Sequence, residues 1–249
     1  MFSLRKYAGK KLVSYARQGD FAHAGEEDAI ELVMKKYDKN INNKILDAGC
    51  GLGATANYIQ EHGWGTVTGF DIESESIEHA AKHYSSIDFY ASDVNQIDSL
   101  LPQIFDIICM FNSFYAFNDQ STALSALNNI AIPSSQLAIF DYSIESKNNE
   151  NKFYREASKD QISFKPIVIN EIESLLISTK WRMKNLVNIS DKYLRWYSDL
   201  LNKLEKYQDN IVSEFGENAF VKAIQTYSDI HSAILKNELG GVVVYAEKC

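Results

Sequence analysis

The feature that most constrains the fold of this chain is a set of three glycines, two positions apart, directly after a short apolar run. It reads Lys44-Ile-Leu-Asp-Ala-Gly-Cys-Gly-Leu-Gly-Ala-Thr55. Ile45 and Leu46 are typical of a buried strand, and the residues after Gly53 favour a helix. Glycine is needed where the backbone bends sharply or lies against a ligand with no side chain between them. The stretch therefore predicts a strand that turns through a ligand-binding loop into a helix.

Three later runs end in polar residues at spacings that fit a nucleoside site. The first ends in Asp71, eighteen positions after Gly53, and the next two end at Asp93 and Asn112. A carboxylate at the tip of the second strand of an open α/β sheet accepts hydrogen bonds from ribose hydroxyls. The glycine spacing differs from the G-x-G-x-x-G pattern of dinucleotide sites, which leaves room for a pyrophosphate. The spacing therefore disfavours a nicotinamide cofactor.

Strand-like and helix-like segments alternate along the chain. We predict strands at 44–48, 66–70, 87–91, 105–110, 136–141, 181–189 and 240–248. Helices are predicted at 25–37, 54–62, 122–130 and 170–179, with another that Ser74 caps. Residues 143–160 are polar and predict a loop or an exposed helix over the site. The pattern predicts a mostly parallel sheet with helices on both faces.

Composition narrows the classes of function. The chain has 249 residues, enough for one α/β domain with an elaboration. Its net charge of -8 disfavours a nucleic-acid partner, since phosphate backbones are bound mainly through Lys and Arg. Cys50, Cys109 and Cys249 lack metal-like spacing, which predicts reduced thiols in the cytoplasm. We expect no metal site and no stable membrane insertion, because zinc-ligand spacing and long apolar runs are both lacking.

The pattern Asp-x-Gly-Cys-Gly-x-Gly over residues 47–53, with the three later runs, resembles class I S-adenosylmethionine (SAM)-dependent methyltransferases. The resemblance implies a doubly wound, mostly parallel seven-stranded sheet of the Rossmann-like methyltransferase type with a C-terminal antiparallel hairpin strand. It also implies SAM as cofactor and S-adenosylhomocysteine as product. In such enzymes the glycine loop passes under the methionine end of the cofactor, one Asp binds the ribose and another meets the adenine amino group. The residues so implied are Asp47, Gly49, Gly51, Gly53, Asp71, Ile72, Asp93, Val94 and Met110.

Three further segments look like phosphoethanolamine methyltransferases and are similar to sarcosine and dimethylglycine methyltransferases. They are residues 21–29, residues 140–142 and residues 190–201. These families methylate small amines under a helical cap. The resemblance implies a single methyltransferase domain over 1–249. Within it, 1–24 is an N-terminal lid over the cofactor, and 190–239 is a helical cap inserted before the last strand.

The acceptor is predicted to lie at the ends of strands four and five. The substrate residues implied there are Asn112, Tyr115, Asp141 and Tyr142, of which Tyr115 and Tyr142 are the catalytic candidates. Asp141 and His23 are further candidates for a general base by position. Phosphoethanolamine methyltransferases carry an Asp and a catalytic His where this chain has Asn112 and Ala116. The substrate within the small-molecule class therefore stays open.

Three functions remain from the sequence. The first is a methyltransferase acting on a small molecule, with an amine as one acceptor. The second is an RNA or protein methyltransferase, which needs a basic or peptide-sized groove. The third is a catalytically silent SAM-binding protein, which Asn112 and Ala116 leave open. Aromatic residues of the 190–239 insertion form the core of the cap, or some of them close the acceptor pocket and attract a methylammonium group.

Overall fold

The structure is a computed structural model that describes residues 3–146 and 164–249. Within these ranges eight strands form one sheet, and seven of them follow the order β3-β2-β1-β4-β5-β8-β7. Only β8 runs antiparallel to its neighbours β5 and β7. The strands are β1 (Lys44–Ala48), β2 (Thr66–Asp71), β3 (Asp88–Ala91), β4 (Phe105–Phe111), β5 (Ala131–Ile144), β6 (Ile167–Val168), β7 (Trp181–Asn188) and β8 (Gly240–Lys248). The predicted Rossmann-like class is confirmed.

Helices cover both faces of the sheet. They are α1 (Tyr7–Arg17), α2 (Glu26–Met34), α3 (Ala54–Glu61), α4 (Ser74–His83), α5 (Ile97–Leu100), α6 (Gln120–Ile130), α7 (Ile172–Ser178), α8 (Ser190–Lys206), α9 (Gln208–Phe215) and α10 (Glu217–Leu235). Because side chains alternate along a strand, Ile45 enters the apolar cluster on one face and Leu46 the cluster on the other. The continuous apolar strands therefore reflect a sheet buried on both sides.

The structure corrects several predicted boundaries. β5 extends from 131 to 144, so Ser143 belongs to the sheet, where it pairs with Gly240. Pro133 lies inside β5 beside an irregular pairing of β4 with β5, where a missing N–H is tolerated. Ser74 does not cap α4, which begins after Glu73 without a side-chain cap. The two-residue β6 was not predicted, because a pair of residues carries no periodicity. The segment predicted over 143–160 lies, beyond 146, outside the described residues.

The segment between β7 and β8 is helical, as predicted, and consists of α8, α9 and α10. α8 buries Tyr193, Tyr197, Leu200 and Leu204, which recur at helical spacing on one face. These side chains join the same apolar cluster as α1 and α2. The cap and the N-terminal helix thus share one core with the sheet. No helix of the described part of the chain is long and apolar enough to cross a membrane.

Candidate functional site

The glycine loop has the conformation that its sequence requires. Gly49, Gly51 and Gly53 have φ values of 84°, 57° and 94°, a region that other residues rarely adopt. The backbone N–H groups of Gly49 and Cys50 donate to the Phe70 carbonyl at 2.8 and 2.9 Å, which holds the loop against the end of β2. A Cβ on Gly49 would lie 2.4 Å from the Ser113 Cβ. Conformation and packing therefore both require glycine here.

Asp47 places a buried carboxyl group beneath this loop. It is 1% exposed, and its Oδ2 atom has no hydrogen-bond partner among the described residues. Burial raises the pKa of Asp47 to about 7, and the negative charge of Asp71 adds to the effect. An isolated buried carboxylate is costly unless a cation or a donor reaches it. Asp47 is therefore suited to receive an ammonium group of a bound ligand.

Asp71 lies at the carboxyl end of β2, where the ribose contact was predicted. Its Oδ2 accepts the Gly51 N–H at 2.9 Å and the Lys10 ammonium at 3.0 Å. Its Oδ1 accepts the Glu73 N–H at 2.9 Å. The next side chain, Ile72, is 70% exposed and offers an apolar surface beside the carboxylate. The site therefore combines a fixed carboxylate with an open apolar face, and a lysine of α1 already contacts the carboxylate.

The other residues predicted at the cofactor have different surroundings. Asp93 is partly buried and accepts the Asn95 N–H at 2.9 Å, which fixes the turn after β3. The Val94 and Met110 side chains belong to the apolar cluster that includes Leu46 and Ile108, and Met110 is 0% exposed. These two side chains therefore pack the core. Of Asp93, Val94 and Met110, only Asp93 therefore offers a polar side chain at this position.

Asn112 joins three parts of the structure at the end of β4. Its Nδ2 donates to the Tyr193 hydroxyl at 2.9 Å and to Asp141 Oδ1 at 3.4 Å. Its Oδ1 accepts the Ala24 N–H at 3.2 Å. The residue has φ 49°, a conformation that asparagine tolerates better than most residues. Asn112 therefore links the cap, β5 and the segment before α2.

Asp141 is the second buried carboxyl group of the site. It is fully buried and accepts the N–H groups of Tyr115 at 3.0 Å and Tyr142 at 2.7 Å. Burial raises the pKa of Asp141 to about 7, although these hydrogen bonds oppose the shift. A carboxyl group with this pKa can exchange a proton near neutral pH. Its hydrogen bonds also fix the backbone beside both tyrosines that were predicted as catalytic.

Aromatic side chains fill the space between the strand ends and the cap. Tyr115 and Tyr142 meet edge to face with centroids 5.1 Å apart, and the Tyr142 and Tyr197 hydroxyls are hydrogen-bonded to each other. Burial raises the pKa of Tyr115 and that of Tyr142. Both hydroxyls are therefore protonated at neutral pH and serve better as donors than as bases. This aromatic cluster comprises Tyr115, Tyr142, Phe164, Tyr193, Tyr197 and Tyr227.

His23 is a packing residue in this structure. It is 2% exposed, its Nε2 lies 3.0 Å from the Thr55 Oγ1, and its Nδ1 lies 3.1 Å from the Ala24 carbonyl oxygen. A carbonyl only accepts, so Nδ1 carries the proton and Nε2 accepts from the threonine hydroxyl. Burial lowers the pKa of His23 to about 3. Because both ring nitrogens are hydrogen-bonded, the structure does not support His23 as a general base.

Sequence reasoning missed two basic residues of the N-terminal segment that reach the site. Lys10 contacts Asp71, and the Arg5 guanidinium lies over the Tyr115 ring, 4.8 Å from its centroid. The five basic residues before Gly19 signalled positive charge but not its destination. Within residues 3–146 and 164–249, no group of three or more His, Cys, Asp or Glu side chains is placed to hold a metal ion.

Two open cavities lie on the surface away from the strand ends. One, of about 340 Å³, lies between the end of α1 and Tyr84 and Glu214. The other, of about 540 Å³, lies between α2 and α8 and is lined by both acidic and basic side chains. Neither is lined by the glycine loop, by Asp71 or by Asn112, Tyr115, Asp141 and Tyr142.

Comparison with known proteins identifies the family and the fold. A family model described as a methyltransferase domain matches residues 39–209. A phosphoethanolamine N-methyltransferase of Plasmodium falciparum is 25% identical over 225 residues, covering 86% of this chain and 81% of the relative.

Solved structures share the fold at lower sequence identity. Phosphoethanolamine N-methyltransferase 2 of Haemonchus contortus, solved with SAM, superposes with a TM-score of 0.85 at 15% identity. That match covers 100% of this chain and 60% of the other. The cyclopropane synthase MmaA2 of Mycobacterium tuberculosis gives a TM-score of 0.83 at 14% identity, covering 98% and 96% of the two chains. With the matched domain spanning more than half of its length, this chain belongs to the methyltransferase domain family and is a SAM-dependent methyltransferase.

Proposed function

We propose that the protein transfers the methyl group of SAM to a small-molecule acceptor held beneath the cap. The observation that carries this proposal is the aromatic cluster between the ends of β4 and β5 and helix α8. Tyr193 and Tyr197 of the cap pack directly on Tyr142 of β5. Such enclosure excludes water from the reacting centre and leaves little room for a polymer.

The cofactor contacts follow from the residues around the glycine loop. We propose that Asp47 accepts the ammonium group of the methionine end and that Asp71 accepts the ribose hydroxyls. Gly49, Gly51 and Gly53 let the backbone approach the ligand closely. Ile72 offers its exposed surface to the adenine ring, and Asp93 accepts from the adenine amino group. The unpartnered Asp47 oxygen and the requirement for glycine at position 49 support this fit.

The acceptor class that we propose is an amine. The Tyr115 ring already holds a cation on its face, since Arg5 lies 4.8 Å from the ring centroid. This chain has Asn112 where the phosphoethanolamine-type enzymes have a carboxylate. Aromatic faces of this kind would therefore hold the methylammonium group in its place. The sulfonium of SAM supplies an activated methyl group, so holding the amine in line contributes most of the rate. We propose Asp141, whose pKa burial raises to about 7, as the group that takes up the amine proton.

We also propose a reducing compartment such as the cytoplasm. Cys50, Cys109 and Cys249 are free thiols, and two of them are buried. Cysteines in proteins of oxidising compartments are commonly paired.

The decisive experiment is transfer from methyl-labelled SAM to three substrate pools: a cellular metabolite extract, total RNA and total protein. We expect label in a small amine, and loss of transfer in D71A. Removing the Asp71 carboxylate, which we propose accepts the ribose hydrogen bonds, should weaken SAM binding by about 1.5–3 kcal/mol for each bond. Label in RNA or protein would favour the second function. SAM binding without transfer to any pool would favour a silent SAM-binding protein.

A further inference from the structure

We infer that Lys10 of α1 competes with the cofactor ribose for the Asp71 carboxylate, so that SAM binds only when α1 releases this contact. The inference rests on the proposed role of Asp71. Its geometric basis is an enclosed ion pair at the ribose position. The Lys10 ammonium lies 3.0 Å from Asp71 Oδ2 and 3.2 Å from the Ser76 hydroxyl. Each side chain of the pair is only 11% exposed, so solvent screens the attraction less than at an open surface.

The acceptor capacity of Asp71 makes the two partners alternatives. An ionised carboxylate offers about four lone-pair sites. Three are occupied, by the N–H groups of Gly51 and Glu73 and by Lys10. A ribose presents two hydroxyls, which need two sites. The backbone N–H groups are part of the glycine loop and of the turn into α4, so the lysine is the donor that can leave.

The space over the loop leads to the same conclusion. A Cβ placed on Gly51 would meet the Ala22 Cβ at 3.2 Å and the Lys10 Cδ at 4.0 Å. The aliphatic part of Lys10 and the Ala22 side chain therefore cover the surface of the glycine loop that the cofactor is proposed to contact. A ligand on this face of Gly51 would displace Ala22 as well as the Lys10 stem, whatever the hydrogen bonds at Asp71.

The two halves of α1 are held by different contacts, so the first half can leave the site while the second half stays packed. Lys6 pairs with Glu73 at 3.4 Å, and the Tyr7 hydroxyl lies 3.4 Å from His79 Nδ1. These contacts and the Lys10 pair hold the first half of α1 to the end of β2 and to α4. The second half is held separately, because Leu12, Val13 and Ala16 are buried in the core shared with the cap. The first half can therefore let go of Asp71 while the second half stays packed.

The test is calorimetric titration with S-adenosylhomocysteine. K10M keeps the aliphatic stem and removes the charge, so it should bind the ligand on the order of tenfold more tightly than the parent protein. K10R keeps a charged donor and should remain near the parent. K11M is the matched control, because Lys11 pairs with Asp20 and not with Asp71. Its affinity should equal that of the parent.

A second readout needs no cofactor. Hydrogen exchange of residues 7–17 should be faster in K10M than in the parent and in K11M, because the first half of α1 loses its enclosed ion pair. K10Q, which keeps a donor for Ser76, guards against a folding defect peculiar to K10M and should show the same two effects.

The outcomes separate this inference from the proposed function. Equal ligand binding by K10M, K10Q and the parent would overturn the competition. Weaker binding by both variants would also overturn it and would make Lys10 a cofactor clamp. D71N tests the underlying assignment, since it removes the charge that both partners need. If D71N/K10M bound S-adenosylhomocysteine as tightly as K10M did, with Lys10 absent from both, the ribose role of Asp71 would fail and the competition with it. Loss of binding in D71N together with a gain in K10M would establish both.

Discussion

At the scale of single residues, the two most deeply buried carboxyl groups of the site, Asp47 and Asp141, have different surroundings. Asp141 accepts hydrogen bonds from two backbone N–H groups and from Asn112, whereas Asp47 leaves Oδ2 without a partner among the described residues. Burial raises the pKa of each to about 7. The hydrogen bonds of Asp141 fix its position beside the tyrosines. The unpartnered oxygen of Asp47 instead fits a group that arrives with the ligand.

The first prediction concerns the stability of D47N. The folded-state pKa of Asp47, about 7, is above the ordinary value of 3.8, so between these values the folded protein binds more protons than the unfolded chain. This contribution to stability is fully present below the ordinary pKa and is lost as the pH rises toward 7. D47N cannot ionise and escapes this loss. We expect its melting temperature, relative to the parent, to rise between about pH 4 and pH 7 and to level off above pH 7. D98N, at an exposed position, is the control for the removal of one carboxylate.

The same substitution should weaken cofactor binding. An amide cannot replace the charge that we propose for the ammonium contact, which is worth about 1.5–3 kcal/mol. The parent should bind SAM less tightly as the pH falls below about 7, because Asp47 becomes protonated. D47N should bind weakly over the same range, without this contribution to the pH dependence. Parent-like affinity of D47N at pH 8 in calorimetry would contradict the ammonium contact.

At the scale of elements, a buried hydrogen bond connects the cap to β5 in addition to apolar packing. Tyr142 of β5 and Tyr197 of α8 share a hydroxyl–hydroxyl hydrogen bond, and their rings are nearly parallel with centroids 6.2 Å apart. Both side chains are buried, so a hydroxyl that loses its partner remains away from water. This contact fixes the cap against the proposed acceptor region.

A double-mutant cycle tests this contact. Y142F or Y197F alone should lower the free energy of unfolding by about 1–3 kcal/mol, because each leaves the other hydroxyl buried without this partner. Y142F/Y197F should lose less than the sum of the single variants, since the double variant removes both polar groups. Urea denaturation gives the energies. Strict additivity would show that the two hydroxyls do not interact.

At the scale of the whole molecule, the N-terminal helix, the cap and the sheet share one apolar cluster. That cluster contains Leu12 of α1, Ile30 of α2, Phe140 of β5 and Leu200 of α8. An insertion of this kind would unfold separately only if it had a core of its own. The shared core therefore predicts that cap and sheet unfold together.

Single-tryptophan variants can measure this cooperativity. W64F/W196F leaves Trp181, which is fully buried in β7, and W64F/W181F leaves Trp196 on α8. Within each variant, the fluorescence midpoint in urea should coincide with that of far-ultraviolet circular dichroism. S-adenosylhomocysteine should raise the fluorescence midpoint and the circular dichroism midpoint by the same amount, since it binds the folded state. An earlier transition of Trp196 alone would show that the cap is an independent unit.

The sequence by itself determined the order of the main strands, the glycine loop, the position of Asp71 at the tip of β2 and the helical nature of the cap. These features are local: hydrophobic periodicity and glycine spacing act over a few residues and are readable without the rest of the chain. The family resemblance also rested on such local motifs. For the same reason, segment boundaries such as the start of β5 were less accurate, because sheet pairing extends a strand beyond its own pattern.

Only the tertiary structure decided which distant residues meet at the site. Lys10 lies 61 positions from Asp71, and Asn112 lies 81 positions from Tyr193. The sequence showed a basic N-terminal segment but not which carboxylate it reaches. Likewise, it placed Met110 at a strand end but not inside the core. Such contacts depend on how helices pack across the sheet, and that packing is set by the summed burial of many side chains rather than by any one motif.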